Sequence, residues 1–353
     1  MKTLYIVPIE PIDQRYTKQW YENIPRLIGQ RIVDKRSAPW EVVTIDGKQP
    51  NMGTTTGAFL DFGVTNIYKA SQVDRIASLF SHGLVKPGDK FLVTDAWNFV
   101  ITAIRYMSDL LDIPVEIHGI WHAGAYDPTD ILGMKMRKPW PYHQERAWYY
   151  ACDYNWFATD FHKDMFIKNL SLPVATNKAF RSGQPHDPII AQLTAYQDLN
   201  KTDVVMWPHR YNADKQPEIA EDLKSDFNML ITQKLNLSKD EYYKTMGSAA
   251  AIFSCALHEN LGISVMEATL AGAIPIVPER ASYSEMYLDC FKYPSEWTTV
   301  EGYGRHRKDL VAFIQDRIKN REQYLTDLKE QQDILIDNYL NANIMFDKIL
   351  ELS

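Results

Sequence analysis

The chain has 353 residues, of which 45% are hydrophobic and 24% are charged, a balance typical of globular proteins. This length exceeds that of one typical domain and predicts two. The formal net charge of −7 argues against a surface that coats nucleic acid or acidic membranes broadly, but it does not exclude a local basic groove.

Targeting and redox features predict a cytoplasmic protein without a membrane span. The apolar run in the opening segment MKTLYIVPIEPIDQ is too short for a signal peptide, and no later window reaches the roughly 18 apolar residues that a spanning helix needs. The three cysteines are Cys152, Cys255 and Cys290. Their wide spacing predicts reduced thiols and neither a disulfide framework nor a zinc site.

In the first half of the chain, short apolar runs alternate with segments of helical period, which predicts a parallel sheet covered by helices. The predicted strands are 3–9, 40–45, 91–94, 114–120 and 154–158. The predicted helices are 16–28, 71–80, 98–111, 144–152 and 162–169. Three segments lack these periods and are predicted as irregular: 46–63, LGMKMRKPWPYH (132–143) and the linker RSGQPHDP (181–188).

The second half repeats the alternation and predicts a second domain of the same class. Its predicted strands are 203–207, 229–232, 250–256 and 274–277, and its predicted helices are 217–227, 239–248 and 263–271. Residues 307–352 are charged and helical in period, with no strand signal. Because ligands of such domains bind at the carboxyl ends of the strands, the loops after strands are where a site is expected.

The most informative segment is AAIFSCALHENLGISVMEATLAGAIPIVPE, residues 250–279. It predicts a buried strand, a loop, a helix beginning near Gly262, a glycine turn and another strand. Amide groups of residues 260–263 at the helix start could hold a diphosphate, since free N–H groups and the helix dipole both favour an anion there. Glu267 could then accept the paired hydroxyls of a ribose, while Glu259 could bind hydroxyls of a donor sugar.

This segment resembles the E-x7-E signature of retaining glycosyltransferases of the GT-B fold, family 4 type, also called glycosyl transferases group 1. The similarity lies in HENLGISVMEATLAGAIPIV, where seven residues separate the two glutamates. The resemblance implies a donor site for a nucleotide-sugar, with UDP and GDP as the expected nucleotides. The implied donor-binding residues are His258, Glu259, Asn260, Leu261, Gly262, Ile263 and Glu267.

A second similarity lies upstream, in VVMWPHRYNADKQPEIAEDL. In the resembled family an Arg and a Lys at this spacing neutralise the leaving nucleoside diphosphate, which assigns that role to Arg210 and Lys215. Two fixed cations can stabilise the growing charge on a phosphate without a metal. The sequence departs from the family pattern after Lys215, where Gln216-Pro217 replaces the usual glycine. An isolated pair of this kind would be read as solvated loop charges.

The first domain carries a weaker similarity, in ERAWYYACDYNWFATDFHKDMFIKN. The family places a histidine facing the donor sugar after a strand of this domain, and His122 is the counterpart. His118 is predicted to be a core histidine. A shared metal is rejected, because residues four apart on a strand lie about 13 Å from each other.

The predicted acceptor-binding residues have alternative interpretations. Asp95 and Trp97 follow a strand, although Asp95 could instead cap the next helix. Asp13 and Arg15 lie in a first turn that lacks the usual family glycines, so they are expected to contact the acceptor or, for Asp13, to cap a helix. The remaining candidates combine cations with an aromatic ring and lie in the segment 132–143, namely Arg137, Lys138 and Trp140.

The resemblance implies two Rossmann-like domains facing a cleft. An acceptor-binding domain is predicted over 1–195 and a nucleotide-sugar-binding domain over 196–335. Residues 336–353 are expected to form a helix packing back on the first domain. The resemblance also implies that sugar transfer retains the anomeric configuration and needs no cofactor or metal. The implied catalytic residues are His122, Glu259, Arg210 and Lys215.

Several acceptors and activities stay open at this point. Cations interleaved with aromatic residues suit a flipped or single-stranded base, and some phage enzymes of this sequence character glycosylate hydroxymethylated DNA bases, in which case the location is the host cytoplasm. The acidic net charge favours a glycan or a lipid-linked sugar instead. The same fold would also suit a nucleotide-sugar epimerase or a non-catalytic binding protein.

Overall fold

A computed structural model describes residues 1–12, 15–35, 40–48, 61–175, 177–235 and 237–352. Asp13 and most of the predicted loop 46–63 lie outside these ranges. The chain divides into two compact units: Met1–Ala158 with His162–Pro185 and Ala342–Ser353, and Thr159–Phe161 with His186–Asn341. The predicted boundary between the two domains lies after residue 195.

The first unit is built on a six-stranded sheet in the order β2-β1-β3-β4-β5-β6, and all its pairings are parallel. The strands β1 to β6 are Lys2–Val7, Trp40–Thr44, Lys90–Val93, Glu116–Ile120, Tyr154–Phe157 and Ala179–Arg181. The helices α1 to α6 are Tyr16–Asp34, Thr65–Ser81, Val100–Leu110, Ile131–Lys135, Pro139–Ala151 and Asp160–Asn169. The last helix of this unit is α14, Asn343–Ile349.

Side chains of the first sheet alternate between two hydrophobic layers. Tyr5 and Val7 of β1 belong to one buried cluster, and Leu4 and Ile6 belong to the other, as the period of two along a strand requires. The second layer also contains side chains of α1 and α14, including Trp20, Ile24, Met345, Phe346 and Ile349. Arg31 of α1 donates from Nε to Asp347 of α14 at 2.5 Å, so α14 is fixed to the first unit by both packing and charge.

The second unit contains a five-stranded sheet in the order β11-β10-β9-β7-β8, again parallel. The strands β7 to β11 are Val204–Trp207, Asn228–Ile231, Ala251–Phe253, Ile274–Pro278 and Lys292–Tyr293. The helices α7 to α13 are Asp187–Thr194, Pro217–Asp222, Lys239–Ser248, Ile263–Leu270, Tyr283–Met286, Tyr303–Lys319 and Leu325–Asn338. The predicted α/β class with two parallel sheets is therefore confirmed.

Each sheet has one point where the direction of strand addition reverses. In the first sheet β1 lies beside β3, and in the second β7 lies beside β9 while β8 pairs on the other side of β7. The connections leaving such neighbours go to opposite faces, and a crevice opens at their carboxyl ends. The loops after β7 and β9, 208–216 and 254–262, thus form the expected binding edge of the second unit.

Two predictions of irregular structure are wrong. The predicted loop 132–143 overlaps α4 and the start of α5, and the predicted linker 181–188 overlaps the end of β6 and the start of α7. Pro139 occupies the first turn of α5, where a residue without an N–H costs the helix no hydrogen bond. Within the described ranges, no helix combines the length and the apolar character needed to cross a bilayer.

Candidate functional site

The centre of the site is Lys215, which lies at the end of the loop that follows β7. Its Nζ donates to the backbone oxygen of His258 at 2.6 Å and to Oε2 of Glu259 at 3.1 Å, and Oδ2 of Asp214 also lies at 3.1 Å. Lys215 is buried, with 8% of its surface exposed. The two loops assigned to one site by the sequence analysis are therefore joined directly by an ammonium–carboxylate pair.

Both members of this pair are charged. Burial opposes the charge on Lys215, but the nearby carboxylates of Glu259 and Asp214 outweigh it and raise the pKa of Lys215. Burial likewise opposes ionisation of Glu259, whereas the positive charge of Lys215 lowers the pKa of that carboxyl below its usual value. Oδ1 of Asp214 is buried without a hydrogen-bond partner among the described residues. The loop thus holds one buried cation between two carboxylates.

Gln216 occupies the position where the resembled family has glycine, and the backbone explains that preference. Its φ is 52° and its ψ is 57°, in the left-handed region that favours glycine. The buried Gln216 side chain donates to the backbone oxygens of Cys255 at 2.5 Å and Thr298 at 2.7 Å. These two bonds offset the backbone strain and fix the Gln216 side chain in the core.

Helix α10 begins at Ile263 and has Gly262 as its N-cap, with a φ of 76°. Gly262 has no side chain to cap the helix, and the buried Leu261 precedes it. Within the described residues no side chain caps this end. N–H groups of the first turn are then available to an anion, and they lie beside the loop that carries His258, Glu259 and Asn260.

Glu267 lies one turn into α10, as predicted, and its Oε1 accepts a hydrogen bond from the Tyr243 hydroxyl at 3.1 Å. Burial raises the pKa of Glu267 to about 7, against the opposing effects of Tyr243 and the Lys239 charge. Near neutral pH this carboxyl is therefore poised between its neutral and its ionised form.

Glu267 is expected to lower the free energy of unfolding as the pH rises. Its folded-state pKa of about 7 exceeds the ordinary value of 4.5, so the folded protein retains a proton that the unfolded chain loses between these values. Glu267→Gln should therefore be more stable than the wild type at pH 8 by on the order of 2 kcal/mol, but not at pH 4.5. Urea denaturation at several pH values checks this, and a difference that does not change with pH would contradict it.

Sequence reasoning missed a buried polar group beside the cation. Ser254 Oγ accepts from the Tyr283 hydroxyl at 3.2 Å and from the Ala256 amide at 3.3 Å, and it lies 2.8 Å from Nε2 of His209. With both acceptor positions of Ser254 occupied, its proton points to His209, which then carries its own proton on Nδ1. Burial, together with the charges of Lys215 and Arg210, lowers the pKa of His209 to about 3. The ring is consequently neutral. The position of His209 shortly after β7 and next to Arg210 is the only feature of the sequence that indicated a role in the site.

Arg210 lies on the same loop but differs from Lys215 in its surroundings. It is exposed, and in the described part of the chain its guanidinium makes no hydrogen bond or ion pair. The structure therefore places one predicted cation within the carboxylate cluster and the other at the solvent edge of the same loop.

His122 follows β4 in the first unit, and its ring is held on two sides. Nε2 donates to the Thr94 backbone oxygen at 2.7 Å, so Nδ1 accepts from the Tyr16 hydroxyl at 3.1 Å. The ring packs on Trp20 with centroids 4.8 Å apart, and burial lowers the pKa of His122. His122 is thus a neutral, oriented imidazole.

His118 is fully buried and bonded to Glu116 and Trp156, in agreement with its predicted place in the core.

Asp95 and Trp97 belong to a buried network that the sequence did not reveal. Asp95 pairs with Lys69 at 3.1 Å, and Lys69 also donates to the Trp97 backbone oxygen at 2.7 Å. The Trp97 indole donates to Oε1 of Glu145 at 2.8 Å. Burial raises the pKa of Glu145 to about 7, although hydrogen bonds from Trp97 and Ala125 oppose the rise. Both predicted residues are therefore held in fixed orientations after β3.

The remaining predicted residues are spread over the first unit. Arg15 is the N-cap of α1. Arg137, Lys138 and Trp140 are exposed around the start of α5. Over the residues that the structure describes, no group of three or more His, Cys, Asp or Glu side chains could hold a metal ion.

The architecture and this arrangement of loops define the class of the fold, which is GT-B, the fold of many glycosyltransferases. The structure resembles sucrose-phosphate synthase from Thermosynechococcus elongatus with a TM-score of 0.64 and 11% identity, covering 100% of both chains. It resembles the lipopolysaccharide outer core galactosyltransferase WaaB with a TM-score of 0.58 and 10% identity, covering 99% of both chains. At these identities the likeness shows the fold alone.

Similarity in sequence is more limited. A tRNA-queuosine alpha-mannosyltransferase from Drosophila melanogaster is 28% identical over 122 residues, which cover 26% of this chain and 32% of that protein. The chain thus matches about a third of the length of this curated relative. No protein-family model matches the sequence.

Proposed function

We propose that the protein is a retaining glycosyltransferase that moves a sugar from a nucleotide-sugar, UDP- or GDP-linked, to an acceptor hydroxyl. The observation that carries the proposal is the buried Lys215–Glu259 pair next to the uncapped start of α10. A cation and free N–H groups bind a diphosphate, and a neighbouring carboxylate binds sugar hydroxyls. The GT-B fold and the partial similarity to a mannosyltransferase support the same class of reaction.

The reaction requires that the bond between the anomeric carbon and the β-phosphate oxygen breaks while a bond to the acceptor oxygen forms. Negative charge then grows on the departing diphosphate, where Lys215, Arg210 and the amides at Gly262 and Ile263 stabilise it. The acceptor proton passes to the departing phosphate on the same face of the sugar, which retains the configuration. The cations act without a metal. Both ring nitrogens of His122 are already bonded, to Thr94 and Tyr16, so this residue has no assigned step in the proposed reaction.

Glu267 is the proposed ribose-binding residue. Oε1 already accepts a bond from Tyr243, and an ionised carboxylate has further acceptor positions for two vicinal hydroxyls. The substitution Glu267→Gln, expected to stabilise the protein at alkaline pH, should for this reason weaken donor binding. Stability and function then oppose each other at one residue, as is common at binding sites.

The acceptor we favour is a hydroxyl on a modified nucleoside within a nucleic acid, with a hydroxymethylated base in phage DNA as one form. The mannosyltransferase relative acts, by its name, on queuosine in tRNA. The exposed cations and tryptophan around the start of α5 support this acceptor class. Under this proposal the enzyme works in the cytoplasm, that of the host if it is encoded by a phage. A glycan or lipid-linked sugar is the second acceptor class.

Release of nucleoside diphosphate tests the proposal. Purified protein is incubated with a panel of nucleotide-sugars and acceptors that includes modified oligonucleotides and glycans. Wild type should release diphosphate with at least one pair, and Glu259→Gln should be slower by about 10²-fold. Glu301→Gln, which alters an exposed carboxylate elsewhere in the second unit, is the matched control.

Four results would count against the proposal. If no diphosphate is released with any donor–acceptor pair, the transferase activity is refuted. Equal rates in wild type and Glu259→Gln would show that Glu259 is not part of the site. Conversion of the donor sugar without an acceptor would instead identify a nucleotide-sugar epimerase. Analysis of the product by NMR gives the anomeric configuration, and inversion would contradict the retaining mechanism.

A further inference from the structure

Helix α5 carries an exposed aromatic face. Trp140, His143, Ala147 and Tyr150 are all exposed, and their spacings of three, four and three residues place them on one side of the helix. Trp140 is 53% exposed and Tyr150 is 48% exposed. Large aromatic side chains are normally the most buried part of a helix, so a solvent-facing row of them indicates a contact surface.

The start of the same helix carries exposed positive charge. Lys135, Arg137 and Lys138 immediately precede α5, and none of the three forms an ion pair with any carboxylate that the structure describes. The first turn of α5 contains no acidic residue. Cations at the positive end of a helix dipole are unfavourable. An anion bound there would relieve the repulsion among the three side chains and the repulsion of Arg137 and Lys138 by the dipole of α5. Lys135 ends α4, where a cation is favourable.

The backbone that presents these side chains is fixed before any ligand binds. Asp130 caps α4 by accepting from the Leu132 amide at 2.8 Å. A Cβ on Gly133 would lie 1.9 Å from the Asp127 backbone oxygen, so α4 packs against the preceding turn without room for a side chain. Arg146 anchors α5 by donating to the backbone oxygens of Leu170 and Ser171.

Arg146 also connects the cationic and aromatic parts of the face. Its guanidinium carbon lies 5.4 Å from the centroid of the Tyr142 ring and 5.8 Å from that of Tyr150, within the range of cation–π attraction. The contact holds the Tyr150 ring in place at the far end of the row. An aromatic ring that is already ordered loses less entropy when a partner stacks on it.

We propose that this surface, defined by Lys135, Arg137, Lys138, Trp140, His143 and Tyr150, binds single-stranded or locally opened nucleic acid. The cations contact phosphodiester groups, and the rings stack on unpaired bases. Trp140 and Tyr150 are ten residues apart, so the row spans about 15 Å along the helix, room for several nucleotides. The inference rests on the proposed transfer to a nucleic acid and identifies the surface that holds that acceptor. The net charge of −7 disfavours binding of nucleic acid over the rest of the surface.

Fluorescence anisotropy with labelled single strands of about 12 nucleotides, in DNA and RNA forms, tests this surface at several salt concentrations. The triple variant Lys135→Ala/Arg137→Ala/Lys138→Ala should lower the slope of log K against log salt by about 2, since each phosphate contact on a single strand contributes about 0.7. Trp140→Ala should weaken binding about tenfold with little change of slope, because it removes stacking and no charge. Comparison of the DNA and RNA strands shows which nucleic acid is preferred.

A charge-matched triple variant, Arg305→Ala/Lys308→Ala/Lys319→Ala, removes exposed cations from α12 of the second unit and should bind like wild type. Equal losses in both triple variants, or no binding of wild type to any strand, would overturn the inference. Stronger binding to anionic lipid vesicles than to nucleic acid would overturn it as well. Thermal denaturation verifies that each variant is folded.

Release of diphosphate by donor hydrolysis without an acceptor is measured on the same proteins. It should be unchanged in the α12 triple variant, which alters no residue of the proposed donor or acceptor site. Loss of strand binding in the α5 variants, with wild-type affinity in the α12 variant, supports the surface. If the wild type binds strands but releases no diphosphate with any donor–acceptor pair, the transferase activity is refuted and the surface is retained. The two failures are therefore distinguishable.

Discussion

Replacing Lys215 with methionine is expected to lower kcat/KM for sugar transfer by about 10³-fold, because the departing diphosphate loses a positioned cation. The same change should lower the free energy of unfolding by about 3–5 kcal/mol, since it leaves the carboxylates of Glu259 and Asp214 without their buried partner. Steady-state kinetics and urea denaturation measure the two effects.

Two further variants separate catalysis from folding. Lys215→Met/Glu259→Gln removes one buried charge of each sign, so it should recover much of the stability but none of the activity. Arg210→Ala alters an exposed side chain and should reduce activity by about 10–100-fold while changing the free energy of unfolding by less than about 0.5 kcal/mol. If Lys215→Met kept wild-type activity, the cation would have no part in the reaction.

Gly262→Ala is expected to lower the free energy of unfolding by about 2–4 kcal/mol. The φ of 76° costs any residue with a Cβ about 1–2 kcal/mol. In addition, the new Cβ would lie 2.8 Å from Cε1 of Tyr283 and 3.2 Å from Cγ of Glu259, so a ring bonded to Ser254 must move. Because Glu259 is displaced too, the affinity for a nucleotide-sugar should also fall.

Gly304→Ala provides the matched control for this prediction. Gly304 lies within α12, and a Cβ there would have no neighbour within 4 Å. Alanine at an exposed helical position should raise the free energy of unfolding by about 0.5–1 kcal/mol. Thermal and urea denaturation of both variants compare them directly. Similar small effects at the two glycines would show that the conformation of the loop before α10 is not constrained.

The sequence revealed most about the second unit because its chemistry lies in short segments with regular flanks. Glu259 and Glu267 are separated by one loop and one helical turn, so their relation follows from local periodicity. The contact of Lys215 with Glu259 spans 44 residues and was reached through family resemblance. Gln216 shows a limit of pattern matching. It adopts a left-handed backbone that favours glycine, and its side chain is held by hydrogen bonds to Cys255 and Thr298.

The features that were missed depend on tertiary contacts. His209 meets Ser254 across 45 residues, and Trp97 meets Glu145 across 48. No local period reports such pairs, because burial and strand order decide them. The segment 132–143 was predicted as a loop because it lacks a clear period, although α5 begins within it at Pro139. Once α5 is recognised, Trp140, His143 and Tyr150 share one face, which a loop would not have revealed.

Binding of nucleoside diphosphates, measured by isothermal titration calorimetry, tests the central claim most directly. Wild type should bind UDP or GDP, and Lys215→Met/Glu259→Gln should bind the same nucleotide at least about tenfold more weakly, since a charged contact to phosphate is worth more than about 1.4 kcal/mol. Absence of binding by the wild type, or equal affinity in the double variant, would contradict a nucleotide-sugar site at the loops after β7 and β9.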